Sequence, residues 1–257
     1  MSQGEIQVAA GAALVACAAL LAHALRLRLG RPLLLAAVRA AVQLTVVGAL
    51  IALVFRIPAL ALAFVAVMVL TAALTSAGRL RALPASRWAA PVAIALPALG
   101  AAGLLIAVGA FAATPRAAIP TAGILIGGAM TATTLTGRRL LEALGAGLDE
   151  LETRLSLGDS ARDALEPFTR QAITTGLVPA IDQTRSVGLV TLPGTFVGLV
   201  LGGASPAAAA RVQLVILLAL LAVELASAVV IAELLARACI LPGERIALPS
   251  GSSGETA

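Results

Sequence analysis

Ionisable side chains inside apolar runs are the residues of this sequence with the most to explain, because a charge in hydrocarbon is costly and marks function by default. Asp182 and Arg185 stand three apart, on one face of a helix expected to restart after Pro179. Such a pair could hold the geometry of a gate or simply bond locally. Arg39 and Gln43 lie one turn apart on one helical face. They could line an inner vestibule, or Arg39, close behind Arg31, could snorkel to the nearer surface. Glu224 falls near the middle of a long apolar run and Glu233 closer to its end. A lone carboxylate at that depth needs a partner, and it could give oxygen to a hard cation. Met68 and Met130 offer soft thioether ligands or plain packing. Pro193-Gly194 breaks backbone hydrogen bonds within a span, which membranes tolerate only beside protein or water; a hinge or cavity lining is expected there.

Several chemistries are excluded. All 18 basic residues are arginine, and a P-loop needs a phosphate-binding lysine. If ATP drives this protein, another subunit binds it. His23 is the single histidine, so no Cys/His metal cluster of the usual spacing can be built. Cys17 and Cys239 read as small buried hydrophobes. No HExxH, Ser–His pair or paired catalytic carboxylates occur, which argues against an enzyme.

The elements that position these residues follow from composition. The 257 residues are 60% hydrophobic and 12% charged, against about 25% charged in an ordinary soluble domain. Lipid must therefore be the solvent for most of the chain. The net charge of +5 does not point to nucleic acid, since the arginines sit in short clusters between apolar runs, not on one basic face.

Apolar runs long enough to span a bilayer cover residues 6–25, 33–55, 57–77, 88–114, 117–137, 172–203 and 207–235. The fourth contains Pro91 and Pro97 and is expected to kink, with Trp88 at its interfacial end. The sixth, as one straight helix, would be about 48 Å long, which places the part before Ser186 at a membrane boundary. Arginines cluster in alternate loops: 26, 28 and 31; 79, 81 and 87; five between 138 and 170; then 237 and 245. The positive-inside rule then gives seven spans with the N-terminus out and the C-terminus in. The fold class is all-α and polytopic. A single membrane domain is expected over residues 1–241, with a disordered Gly/Ser-rich tail over 242–257.

Between residues 138 and 170 lies the strongly polar stretch. Leucines at 140, 141, 144, 148, 151 and 155 give one apolar stripe on a helix. A second short helix is expected after Asp159 or Ser160 as its cap. Five arginines and seven carboxylates make this hairpin acidic within a basic chain. A helix lying on anionic lipid should be basic, so docking to a partner is the favoured reading.

At this point a resemblance enters. Glu152-x5-Gly158 has the acid-to-glycine spacing of the coupling loop in ABC-transporter permeases, although Thr153-Arg154 replaces the usual paired alanines. Ser156-Leu157-Gly158, and the run Pro179-Ala-Ile-Asp182-Gln-Thr-Arg185-Ser-Val-Gly188-Leu-Val-Thr-Leu-Pro193-Gly194, are more specific. The sequence resembles the ABC permease family that includes the enterobacterial iron exporter FetB and plant aluminium-tolerance permeases. Arg39-Ala-Ala-Val-Gln43, Ile119-Pro120, Gly123 and Met130 are similar to it as well.

The resemblance implies an inner-membrane, multi-pass permease that exports iron or another metal as a homodimer. No cofactor would be bound by this chain; ATP and magnesium would sit on a separate ABC ATP-binding subunit. Glu152, Ser156, Leu157 and Gly158 would couple to that subunit. Arg39, Gln43, Met130, Asp182, Arg185, Pro193 and Gly194 would shape the path or gate. The rival reading is a self-contained, ion-coupled carrier with Glu224 and Asp182 as a proton relay.

Overall fold

A computed structural model of the protein describes residues 2–243 and 245–247. Their secondary structure is helical apart from one short ribbon, and the chain divides into two compact units, Met1–Leu60 and Ala61–Ala257. Among the described residues, six helices are long and apolar enough to cross a membrane. The protein is a polytopic, all-α, multi-pass membrane protein.

The first unit is a helical hairpin of α1 (Gln3–Ala24) and α2 (Gly30–Val54). Ser2 caps α1 in a capping box: its hydroxyl accepts the Glu5 N–H at 3.3 Å, and the Glu5 carboxylate accepts the Ser2 N–H at 2.7 Å. Small residues let the pair close up, with Ala19 and Ala22 buried and Gly30 against the Ala19 carbonyl. Cys17, expected to be buried, lies instead on the exposed side of α1.

The second unit contains α3 (Pro58–Arg79), α4 (Ser86–Ala107), α5 (Pro115–Ala146), α6 (Leu148–Ser156), α7 (Ala161–Ser186), α8 (Gly194–Leu201) and α9 (Pro206–Cys239). Pro115 and Pro206 open their helices at positions where a missing N–H costs nothing. The long helix α5 is the axis of the unit. Gly128 meets Leu220 and Glu224 of α9, and further along Ala132 clusters with Ala228, so α5 and α9 run parallel. α4 runs against them, burying Ala89 and Ala93 with Leu140 and Leu144 at one end and Ala98 and Ala102 with Leu125 and Ala122 at the other. The chain beyond α9 forms a small ribbon, β1 (Ile240–Leu241) paired antiparallel with β2 (Arg245–Ile246). Residues 248–257 of the expected tail lie outside the described residues.

Two sequence expectations are corrected here. The leucine-striped helix from Arg138 is not continuous: α5 runs on to Ala146 and α6 starts at Leu148. The bend falls at Gly147, where a Cβ would collide with the ring of Phe168. Leu140, Leu144 and Leu151 still bury in one cluster. The sixth span is not one helix either. α7 starts at Ser160, whose hydroxyl accepts the Asp163 N–H at 3.2 Å, and passes through Pro167 and Pro179 without restarting. It stops at Ser186. Residues 187–193 are irregular, with Gly188 at a φ of +86°, and Pro193 leads into the short α8. α8 is about 12 Å long, too short to cross a core of about 30 Å.

Candidate transport surface

The polar side of α7 is the feature of the second unit that best fits a function. Gln171, Thr174, Thr175, Val178, Asp182 and Arg185 recur at helical spacing and are all exposed. They share a face roughly 100° wide at 100° per residue. The far side of the same stretch carries Ala172, Gly176 and Leu177, all buried. Threonine hydroxyls on the polar side bond back along the helix, Thr174 to the Arg170 carbonyl at 2.9 Å and Thr175 to that of Gln171 at 2.8 Å.

Neighbours fix the depth of this face. Gly176 lies against Thr136 of α5, Leu177 clusters with Ala132 and Ala228, and Val187 lines one groove with Leu214 and Leu217 of α9. Asp182 and Arg185 therefore lie level with α9 between Leu217 and Ala228, in the apolar middle of that helix. Their ion pair is long, 3.8 Å, with the side chains 64% and 77% exposed. Two charges at this depth, facing away from their own bundle, need water or another protein surface.

The segment beyond α7 leaves the helical path and exposes apolar side chains. Leu189 is 93% exposed, and Val190 and Leu192 are exposed beside it. The Gly188 N–H donates to the Thr191 carbonyl at 2.8 Å, and the Val190 N–H to that of Ser186 at 2.9 Å. The groove between this loop and α9 has Gln213 in its lining, whose buried Oε1 has no hydrogen-bond partner. Pro193, half-buried, and Gly194, exposed, close the break and open α8.

The remaining sequence candidates fall elsewhere. In the first unit, Arg39 and Gln43 are exposed one turn apart on α2, with no hydrogen bond or ion pair among the described residues. Met130, like Met68, packs against the buried cluster around Ala98, Leu125 and Ile126, and its carbonyl accepts the Ser76 hydroxyl at 3.3 Å. Ser76 and Thr134 share a hydrogen bond of 2.8 Å that ties α3 to α5.

Glu152, Ser156, Leu157 and Gly158 occupy the exposed end of α6 and the turn into α7. Leu157 is 81% exposed, and Gly158 has a φ of +99°, a conformation that favours glycine. Arg154 braces this turn, bonded to Glu150 at 2.9 Å and Asp159 at 3.7 Å. Behind it, Glu233 of α9 takes Arg237 at 2.6 Å and Arg162 of α7 at 3.3 Å. Arg162 and Glu233 thus join the first turn of α7 to α9.

Sequence reasoning missed Gln171, Thr174 and Thr175. Their spacing with Asp182 and Arg185 was the available signal, hidden because the helix was divided between hairpin and span.

Comparison with known proteins adds a family. A model of the UPF0014 family, described as an uncharacterised protein family, matches residues 5–240. The chain is 37% identical to the UPF0014 membrane protein STAR2 of Oryza sativa subsp. japonica over 83% of its own length and 76% of that protein. It is 32% identical to the protein ALUMINUM SENSITIVE 3 of Arabidopsis thaliana, over 84% of this chain and 80% of the relative. Against the probable iron export permease protein FetB of Escherichia coli (strain K12) the identity is 29%, covering 84% and 85%. No solved structure matches the chain.

Proposed function

Because the chain belongs to the UPF0014 family of membrane proteins, we propose that it is the transmembrane permease subunit of an ATP-driven exporter. The observation that carries this reading is the polar face of α7, held level with the apolar middle of α9 and turned away from its own bundle. Two copies of the chain, placed with these faces toward each other, would enclose a water-filled path. Asp182 and Arg185 would then meet the cargo or the gate, and no lone chain would have to expose them to lipid.

The energy source is assigned to a separate ATP-binding subunit, which would hold ATP and magnesium. The chain has no lysine for a P-loop of its own. The partner would grip the exposed tip around Leu157 and Gly158, an apolar side chain on a stiff turn braced by Arg154. Closure of the paired ATPases would push this turn, and the Arg162–Glu233–Arg237 network would pass the push to α9. FetB is named as a probable iron export permease protein, and a metal cation is the cargo class we assign. The inner membrane, with the α6–α7 turn on the cytoplasmic side, is part of the same proposal.

Reconstituted vesicles test it. Chain plus ATP-binding subunit should move ferrous iron only when ATP is present, and chain alone should move none. Gradient-driven flux by the chain alone would replace this reading with that of an ion-coupled carrier.

A further inference from the structure

Glu224 sits on α9 where that helix packs against Gly128 of α5. The facing residue is Gly128: a Cβ at that position would lie 3.1 Å from Glu224 Oε1 and 3.4 Å from its Cγ, besides striking Leu220. The absence of a side chain at 128 is what makes room for the carboxyl group. Glu224 is 8% exposed and has no hydrogen bond or ion pair among the described residues. One turn along the same helix, the fully buried Ser227 hydroxyl is also without a partner. Buried polar groups are almost always paired, and an orphan one calls for a specific explanation.

No basic residue supplies it. α5 has no charged residue between Arg116 and Arg138, and α4 carries only Arg87, near its start. α3 has Arg79 at its end. On α9 itself Arg211 and Glu233 are about 20 Å and about 14 Å away along the axis. Asp182 and Arg185 of α7 reach a similar depth, but on that helix's exposed face and paired with each other.

We propose that Glu224 is a cation-binding site inside the helix bundle, its countercharge brought from outside the chain as a proton or a metal cation at a carboxylate oxygen. Ser227 offers a second oxygen one turn away. The site lies within a single chain, apart from the polar face of α7, and does not depend on the ATP-driven reading.

The test uses the purified full chain in lipid nanodiscs, with no partner subunit, and dicyclohexylcarbodiimide as an apolar probe. The carboxylic acid O–H adds across one of its C=N bonds to give an O-acylisourea, whose acyl group migrates to nitrogen and leaves a stable N-acylurea that mass spectrometry locates. Modification of Glu224 is read relative to the exposed Glu233. One arm raises pH without metal; the other adds manganese(II) at fixed pH. Glu224 should be modified, and its modification should fall several-fold in at least one arm. The arm that responds identifies the cation. Glu224→Gln should lose the signal. An unmodified Glu224, or one whose modification is unchanged in both arms, would overturn the proposal.

Discussion

Gly176 of α7 is pressed against Thr136 of α5: a Cβ at position 176 would lie 2.6 Å from the Thr136 hydroxyl oxygen and 3.0 Å from its Cα. Because the obstruction is partly backbone, it cannot be relieved by a rotamer change. This contact sets how closely the polar-faced helix approaches the axis of its unit. Gly176→Leu should therefore destabilise the protein by about 1–3 kcal/mol, the usual cost of overpacking. In a Cys17→Ser background, reaction of the buried Cys239 with a thiol-reactive dye reports unfolding. Its midpoint should drop in the variant, while Val178→Leu, on the exposed face two residues away, should leave it in place.

Asp182 and Arg185 form an exposed pair, and such pairs contribute about 0–1 kcal/mol to stability. Asp182→Asn and Arg185→Gln should leave the Cys239 unfolding midpoint almost unchanged and still abolish ATP-dependent flux. Asp182→Leu separates two environments. Were this face bathed in lipid, leucine would be tolerated or stabilising and flux would survive. In a water-filled path, flux is lost.

The tip of the α6–α7 turn should behave in the opposite way to the core. Leu157→Asp changes a side chain that touches little of its own chain, so thermal stability should hold. Association with the ATP-binding subunit should weaken about tenfold, the loss of one modest apolar anchor. Gly158→Val should weaken it too, because a β-branched residue resists a positive φ. Quantitative co-purification checks both, and full retention of the subunit by Leu157→Asp would remove this turn from the interface.

Much of this architecture was legible in the sequence. Helices α1 to α5 and α9 fall on the long apolar runs, since uninterrupted hydrophobic length suffices to place a span. Periodicity put the leucines at 140, 144 and 151 on one apolar stripe, and the structure buries them in one cluster. α7 was divided by its composition: the charges Arg162, Asp163, Glu166 and Arg170 put its first half in the hairpin, and its second half read as the start of the run at 172–203. Its neighbours α5 and α9, not its own hydropathy, hold it at depth. Pro179 suggested a restart, yet the helix runs through it, because a proline removes one hydrogen bond without forbidding the turn around it. The real break is at Val187, whose extended backbone ends the helical path one residue before the positive φ of Gly188. Gly128 and Glu224 are far apart in sequence, and no local pattern could pair them.

The central claim is that the face of α7 bearing Thr174, Val178 and Asp182 meets water within the bilayer. Single cysteines at these positions, in a chain lacking Cys17 and reconstituted with its ATP-binding subunit, can be exposed to a membrane-impermeant methanethiosulfonate. All three should react, while cysteines at Ile173, Leu177 and Ala180 on the packed side stay protected. Protection of 174, 178 and 182 throughout the ATP cycle would contradict the account.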